Sequence, residues 1–399
     1  MRTHGPIALA TTLLLACASS ACASSRDPVD PVDPVGARQS GPVLRAECYS
    51  LLQIESRNPR GGPNPPRDLD DRGRLLFEFF VWENGTRRPL PAPDGYELDL
   101  AIDFNERGDV VGTVRPGGGA GVRRAVIWRS DGTITVLPDV EGGVEVLEIT
   151  ERGHVLATAG AVLETRGLLF RDGAWVDLGP GRPSDVNESD EVVLVDGTGA
   201  FLWKEGVRTD LGLRSSGDPR INERGQIMAT ANRAGPGTEA VFLWEAGVAR
   251  ELPGLAFLSD AQRAVGSALN ERGDVAGYVI RPATSTFFSY PVLWRDGAPI
   301  VLSETNGRAT EVNDAGQVFG FLEDDDGIRP FVWDSGSFVA LPMPFVATSF
   351  TEWAVHGPTL NARGDAVLAM RPANGDTRTL FWRNTRCDGQ EPEPEEPEE

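Results

Sequence analysis

The sequence predicts an all-β fold, a β-propeller of about seven or eight four-stranded blades closed by pairing of its N- and C-terminal segments. Three observations carry this expectation. A short motif returns at a period of about 40 residues, an aromatic residue returns in one slot of each copy, and the two chain ends supply incomplete units.

The motif reads apolar-Asn-x-x-Gly-x-apolar-x-Gly/Ala, a variable gap, apolar-apolar-x-Trp, a Gly turn and a Leu. Its clearest copies begin at Phe104–Gly108, Ile221–Gly225, Leu269–Gly273, Val312–Gly316 and Leu360–Gly364. Weaker ones sit at Ile149–Gly153 and at Val186–Asp190, where Asp190 stands in place of the Gly. The copy at 105–148 shows the local physics. Asn105-Glu106-Arg107-Gly108 is a turn, because Asn and Gly tolerate positive φ. Asp109–Val114 alternates as a strand, a Gly-rich loop (Gly117–Gly121) follows, and Ala125–Trp128 is a second strand. Asp131-Gly132 signals a hairpin, Thr133–Leu137 is a third strand, and Val144–Ile149 a fourth. The Asn-x-x-Gly turn is thereby expected to join one unit to the next.

Trp82, Trp128, Trp203, Trp244, Trp294, Trp333 and Trp382 occupy the aromatic slot, with Phe170 in the third copy. A residue needed in every unit serves the unit, so these side chains are expected to wedge neighbouring blades. A buried aromatic removes roughly 150–250 Å² from water, worth a few kcal/mol at about 25 cal/mol per Å².

Closure is suggested by the ends. Cys48 and Cys387 bracket the array, and an even cysteine pair in an exported protein usually forms a disulfide. The last copy offers only two clear strands, Asp365–Met370 and Thr379–Arg383, while Cys48–Ile54 is a strand-like run without a unit of its own. The ends are therefore expected to share one sheet tied by Cys48–Cys387, a pairing that non-reducing peptide mapping tests. The first copy has no gap between its Gly turn and Trp82. Counting it with the last as a single blade gives seven; counting both gives eight.

The 399 residues also carry processing signals. Arg2 and His4 precede an apolar run from Ile7 to Ala16, too short to span a bilayer and suited to a signal segment. It ends in Leu14-Leu15-Ala16-Cys17, which resembles the lipobox of bacterial lipoproteins and implies lipidation at Cys17; Cys22 is the lesser candidate. The division is then residues 1–16 signal peptide, 17–42 flexible Pro/Asp-rich tether, 43–388 propeller and 389–399 disordered acidic tail. Net charge is −21, which argues against a nucleic-acid partner, since that binding neutralises phosphates with Lys and Arg.

At Gly199-Ala200-Phe201-Leu202-Trp203 and Val241-Phe242-Leu243-Trp244 the chain resembles the HAF family of bacterial extracellular repeats, from about Leu69 to Arg383. The His that gives the family its name is absent here. The resemblance implies an exported propeller-like array and no particular reaction.

The remaining readings concern function. The Asn-x-x-Gly turns and the Gly hairpins emerge on one face, and loops of varying length on the other; variable loops on a repeated scaffold are where binding resides. Phe287, Phe288, Tyr290, Trp353 and His356 are the candidate partner-face residues, for an unknown protein or glycan. No catalytic motif is present. His154, in a repeat turn, is expected at the surface, and the repeated Glu-Arg pairs such as Glu223-Arg224 are expected to be structural. The Glu323–Gly327 run could in principle hold Ca²⁺ near Asp324, but it reads as a solvated acidic turn. No metal or cofactor is expected. The chain thus reads as a monomeric, lipid-anchored envelope propeller, exported to the outer membrane or cell surface, that acts as an interaction or scaffold module. The alternative is an exported enzyme acting on a polysaccharide or similar polymer. An enzyme would gather several unrepeated ionisable groups in one pocket at the variable face or in the central channel.

Overall fold

Eight four-stranded antiparallel sheets form a ring of blades in the computed structural model of the chain. It describes residues 45–385 apart from 56, 59–61, 63, 119–120, 161–164, 234–238, 259–261, 282–287, 326, 347–358, 371 and 373–375. Cys17, Cys22, Phe287, Trp353, His356 and Cys387 lie outside the described residues.

Blade 1 begins at Asp68–Leu69, blade 2 at Tyr96–Phe104, blade 3 at Val144–Ile149 and blade 4 at Arg182–Val186. Blades 5 to 8 begin at Arg220–Ile221, Arg263–Leu269, Gly307–Val312 and Thr359–Leu360. The first strands touch one another around the ring and so lie nearest the axis. Burial follows this order. The second strands of blades 3 and 8, Val155–Ala159 and Ala366–Met370, are buried at every position. The fourth strands Thr86–Pro89 and Val248–Glu251 are exposed at every position. Both faces of a second strand meet apolar side chains, which is why it reads as an unbroken apolar run.

The expected unit boundary is displaced by one strand. The Asn-x-x-Gly turn lies within a blade, between its first and second strands; the link to the next blade is the variable stretch after the fourth strand. The assignment of turns and variable loops to opposite faces is unaffected, because shifting by one strand carries the loops of each face together.

The two ends share one sheet, as expected. Tyr49–Ile54 pairs antiparallel with Arg378–Asn384 as the outermost strand of blade 8, with Tyr49 opposite Asn384 and Ile54 opposite Thr379. Cys48 is buried, and Thr385 donates both its amide and its hydroxyl to the Cys48 carbonyl, each at 2.8 Å. The seven-blade count is corrected. The first copy turns tightly at Glu78-Phe79 between Leu75–Phe77 and Phe80–Glu83, so it completes a blade without the long gap of the other copies.

The slot tryptophans are all buried, each in a third strand. The indole Nε1 groups of Trp128, Trp294 and Trp382 donate at 2.8 Å to the carbonyls of Pro91, Pro253 and Pro342, each following the fourth strand of the preceding blade. In blade 3, where Phe170 fills the slot, Trp175 on the adjacent strand packs edge-on against it and donates to Pro138 at 3.0 Å. The hydrogen-bonding role has moved by one strand. Gly277, opposite Val292 and two residues along from the partner of Trp294, shows why the motif wants a small residue near the Trp: a Cβ there would meet the Val265 carbonyl at 2.1 Å and the Trp294 ring at 3.1 Å.

Candidate functional site

The residue two places before the turn Asn faces the axis in each first strand. Read around the ring it is Asp68, Asp103, Glu148, Asp185, Arg220, Ala268, Glu311 and Thr359. In blades 2, 3, 4, 6 and 7 the strand register slips by one residue immediately before this position. A bulge of this kind bends the strand and re-aims the side chain that follows. Protein surrounds these polar side chains, yet each keeps some exposed surface, as expected on the wall of an open channel.

The channel electrostatics follow from enclosure. Burial pushes the Asp103 carboxyl well above the usual range, and the neighbouring Asp68, within hydrogen-bond reach, adds to it. Asp68 is raised by burial as well. Glu148 is likewise pushed up by burial, then by Asp185 and Asp103. Asp185 is raised by burial against the opposing influence of Arg220 and of the Ile221 amide, which donates to it at 2.8 Å. Glu311 rises to about 8 through burial, opposed by Arg220 and reinforced by Asp68. Carboxyls this close cannot all ionise, so the pairs Asp68/Asp103 and Glu148/Asp185 are each built to share a proton. None of these residues was singled out from the sequence. A signal existed, since stacking the copies on their Asn exposes a column of acids and one Arg. The column lies just outside the repeated motif, so the motif alone does not mark it.

The turn face is a different construction. Each turn Asn binds its own loop through Oδ1 and the next blade through Nδ2: Asn222 donates to the Asn270 carbonyl at 3.0 Å, Asn270 to Asn313 at 2.9 Å and Asn313 to Asn361 at 2.9 Å. Asn361 then donates to the Asp70 carbonyl at 2.8 Å, closing the circle onto blade 1. Where the Asn is missing, an arginine reaches across instead. Arg74 bonds the Glu106 carbonyl beside Asp70, and Arg152 bonds the Glu188 carbonyl beside Thr150. One residue further on runs a second circle, in which each backbone amide meets the carboxylate of the next blade. Glu106 donates to Glu151, Glu223 to Glu271, Glu271 to Asp314 and Asp71 to Glu106. The Glu-Arg turns are structural, as expected. Asp190 adopts φ 60°, taking the conformation of the Gly it replaces.

His154 departs from expectation. Its Nδ1 sits 2.6 Å from Asp190 Oδ1 of blade 4, Arg171 donates to the Oδ2 of the same carboxylate at 2.9 Å, and the His154 ring is only 13% exposed. It is an inter-blade partner because the position after the turn Gly points between blades. Asp324 pairs with Arg329 across the hairpin that the acidic run caps. Among the described residues no group of three or more His, Cys, Asp or Glu is arranged to hold a metal ion.

On the variable face the structure brings Phe288 and Tyr290 together, with ring centroids 4.9 Å apart. It adds Phe257 from the connector between blades 5 and 6, at 5.4 Å from Tyr290 and 64% exposed. Arg281 lies over Phe288 at 4.9 Å. Phe257 was missed because it belongs to a different blade connector. On the same face a groove of about 930 Å³ runs between blades 3 and 4, lined by Thr158, Arg166, Gly181, Arg182 and Asp196, and one of about 360 Å³ lies between blades 2 and 3. Several charges on the wall of the larger groove are paired, Arg166 with Asp177, Arg182 with Asp218 and Asp196 with Arg208.

No family model matches the chain, and no curated protein does. Among solved structures it is similar to a streptogramin B lyase at 14% identity, covering 74% of this chain and 96% of that one with a TM-score of 0.41. It is also similar to the β-propeller domain of the Trilobed protease from Pyrococcus furiosus, at 12% identity, 82% and 94% coverage and a TM-score of 0.45. A third likeness is to virginiamycin B lyase from Staphylococcus aureus, at 12% identity, 84% and 99% coverage and a TM-score of 0.39. These likenesses bring no activity to this chain. No helix among the described residues is long and apolar enough to cross a membrane.

Proposed function

We propose that this chain is an exported, HAF-like propeller, lipid-anchored through Cys17, that binds a protein or glycan of the cell envelope on its variable face. One observation carries the reading: exposed Phe257 packed edge-on against half-buried Tyr290, with half-buried Phe288 and exposed Arg281 beside it, on the face whose loops differ between blades. Aromatic residues and Arg dominate binding hot spots because they offer large contact area with few rotatable bonds. The test has two arms. Fatty-acid labelling and envelope fractionation should show label and membrane association lost in Cys17→Ala. Capture on isolated envelopes or a glycan array should weaken about tenfold or more in a Phe257→Ser, Tyr290→Ser double variant. Label retained without Cys17, or capture unchanged in the double variant, overturns the corresponding half.

A second reading, an exported enzyme acting on a polysaccharide or similar polymer, is favoured by the axial channel, where unrepeated ionisable groups meet. Carboxyls with separated proton affinities are the usual acid–base equipment for glycoside chemistry. Hydrolysis of a dye-labelled glycan panel that vanishes in Glu148→Gln would promote this reading above the first.

A further inference from the structure

The two grooves of the variable face meet. Glu145, Thr158 and Gly160 of blade 3 line both, so the spaces of about 360 Å³ and 930 Å³ form one trough across blades 2 to 4. At its blade 2 end stand Arg115, near the end of the second strand, and Arg123, just before the third. One carboxylate ties both by their Nε: Arg115 donates to Asp99 Oδ1 at 3.2 Å and Arg123 to Asp99 Oδ2 at 2.6 Å. The Asp99 side chain is only 18% exposed and also accepts from the Thr113 hydroxyl. Held this way, the two guanidiniums keep their Nη groups free of hydrogen bonds among the described residues. Arg166 and Arg182, further along the trough, each have a carboxylate of their own, whereas Arg115 and Arg123 share one and leave a positive charge in excess. In the middle Glu145 lies directly opposite Thr158 across the first two strands of blade 3. Among the described residues Glu145 makes no ion pair, and the hydroxyl of Thr158, a residue 7% exposed, makes no hydrogen bond.

We infer that this trough binds a glycan carrying isolated uronic acid residues, a carboxylate seated on the Arg115 and Arg123 guanidiniums and sugar hydroxyls meeting Glu145 and Thr158. The site rests on the glycan half of the reading above and owes nothing to the Phe257 cluster. A guanidinium presents a planar fork that matches a carboxylate with parallel hydrogen bonds. Two forks already oriented by Asp99 have little freedom left to lose on binding. A bare anion would meet the forks but would face Glu145 with no proton to share. An ionised carboxylate only accepts, whereas a hydroxyl both donates and accepts. A uronic acid carries both kinds of group on one ring, so it satisfies the forks, Glu145 and Thr158 together. The net charge of −21 disfavours a densely charged polymer, which leaves a chain whose acidic residues are spaced by neutral sugars. A trough that crosses three blades suits such a chain better than a lone sugar.

The experiment is calorimetric titration of the whole protein with a panel of oligosaccharides in which a uronic acid alternates with neutral sugars. The same oligosaccharides with their carboxyls reduced to alcohols, sodium sulfate, and a short peptide with a free C-terminus are the controls. At least one uronate oligosaccharide should bind, and its carboxyl-reduced form should bind about tenfold or more weakly. Arg115→Ala and Arg123→Ala should each cost about tenfold toward the uronate form and little toward the reduced form, so that variant and reduction are not additive. Thr158→Val, close in shape, should weaken both forms alike. If an alanine variant does not fold, the comparison of uronate with reduced form decides alone. The inference is overturned if no member of the panel binds, if the reduced form binds as tightly as the uronate form, if sulfate or the peptide binds as tightly as the best oligosaccharide, or if the arginine variants weaken both forms equally. An overturned trough leaves the wider reading standing as long as envelope capture still depends on Phe257 and Tyr290, so the two failures are told apart.

Discussion

Two positions only two residues apart in every repeat have met opposite fates. The turn Asn does the same work in blade after blade, clasping its loop and the next blade at once. The residue two places earlier is Asp, Asp, Glu, Asp, Arg, Ala, Glu and Thr around the ring. A position that serves the unit repeats with the unit. A position facing the axis is seen by all eight blades at once, so its chemistry belongs to the ring and is free to differ. The contrast also explains two exceptions at the clasp. Asp70 and Thr150 interrupt the Asn series, and Arg74 and Arg152 restore the lost bond to the next blade.

The largest effect should come from breaking the clasp. Asn270 accepts from the amides of Arg272 and Asp274 and donates to Asn313, all with little access to water. Asn270→Leu would orphan several of these groups at once, so it should cost about 3 kcal/mol or more in urea unfolding. A loss under about 1 kcal/mol would make the circle ornamental.

A smaller effect, visible only through pH, separates the axial position from the clasp. Glu311 in the folded chain titrates at about 8, above its ordinary 4.5. The folded state therefore binds the proton more tightly across that window. Its contribution to stability is complete below pH 4.5 and is lost as pH rises toward 8. Glu311→Gln should remove this slope, leaving a variant that loses less stability than the wild type between those limits, by on the order of a few kcal/mol. Parallel pH–stability curves for the two proteins would contradict the channel electrostatics.

The smallest effect is a gain. Ala362 carries no carboxylate, so the second circle is broken between Asp314 and Asp71. Ala362→Glu should offer the Asp314 amide an acceptor and raise stability by about 0.5–1 kcal/mol. No change, or a loss, would mean that the neighbouring turns are not close enough there for the bond that the other blades make.

Most of the architecture could be read from the chain, because the physics that sets it is local and repeated. The Asn-x-x-Gly turn, the apolar second strand and the slot Trp each announce themselves. The terminal strand Tyr49–Ile54 was visible as an apolar run without a unit, and its partner followed from the two-strand deficit of the last copy. What stayed hidden depends on geometry that no single copy contains. The unit boundary was misplaced by one strand because an up-and-down chain looks alike from either phase. The channel residues needed the bulges at Ile102, Leu147 and Thr310 to bring them to a common axis. Phe257 and His154 acquire meaning only from the neighbouring blade, as does Trp175, which answers for Phe170 across one strand.

The pairing of Tyr49 with Asn384 also fixes an order of events. Tyr49–Ile54 is made before every complete blade and has no partner until Arg378–Asn384 follows the last of them. Until that strand is made, Tyr49–Ile54 has no partner, and the circle of clasps returns to Asp70 only once Asn361, in blade 8, has been made. Contacts so distant along the chain form late, since the entropy of closing the loop must be met before they reward it. A nascent chain of this kind stays an unsealed row of hairpins until Arg378–Asn384 emerges, and that one strand turns the row into a ring.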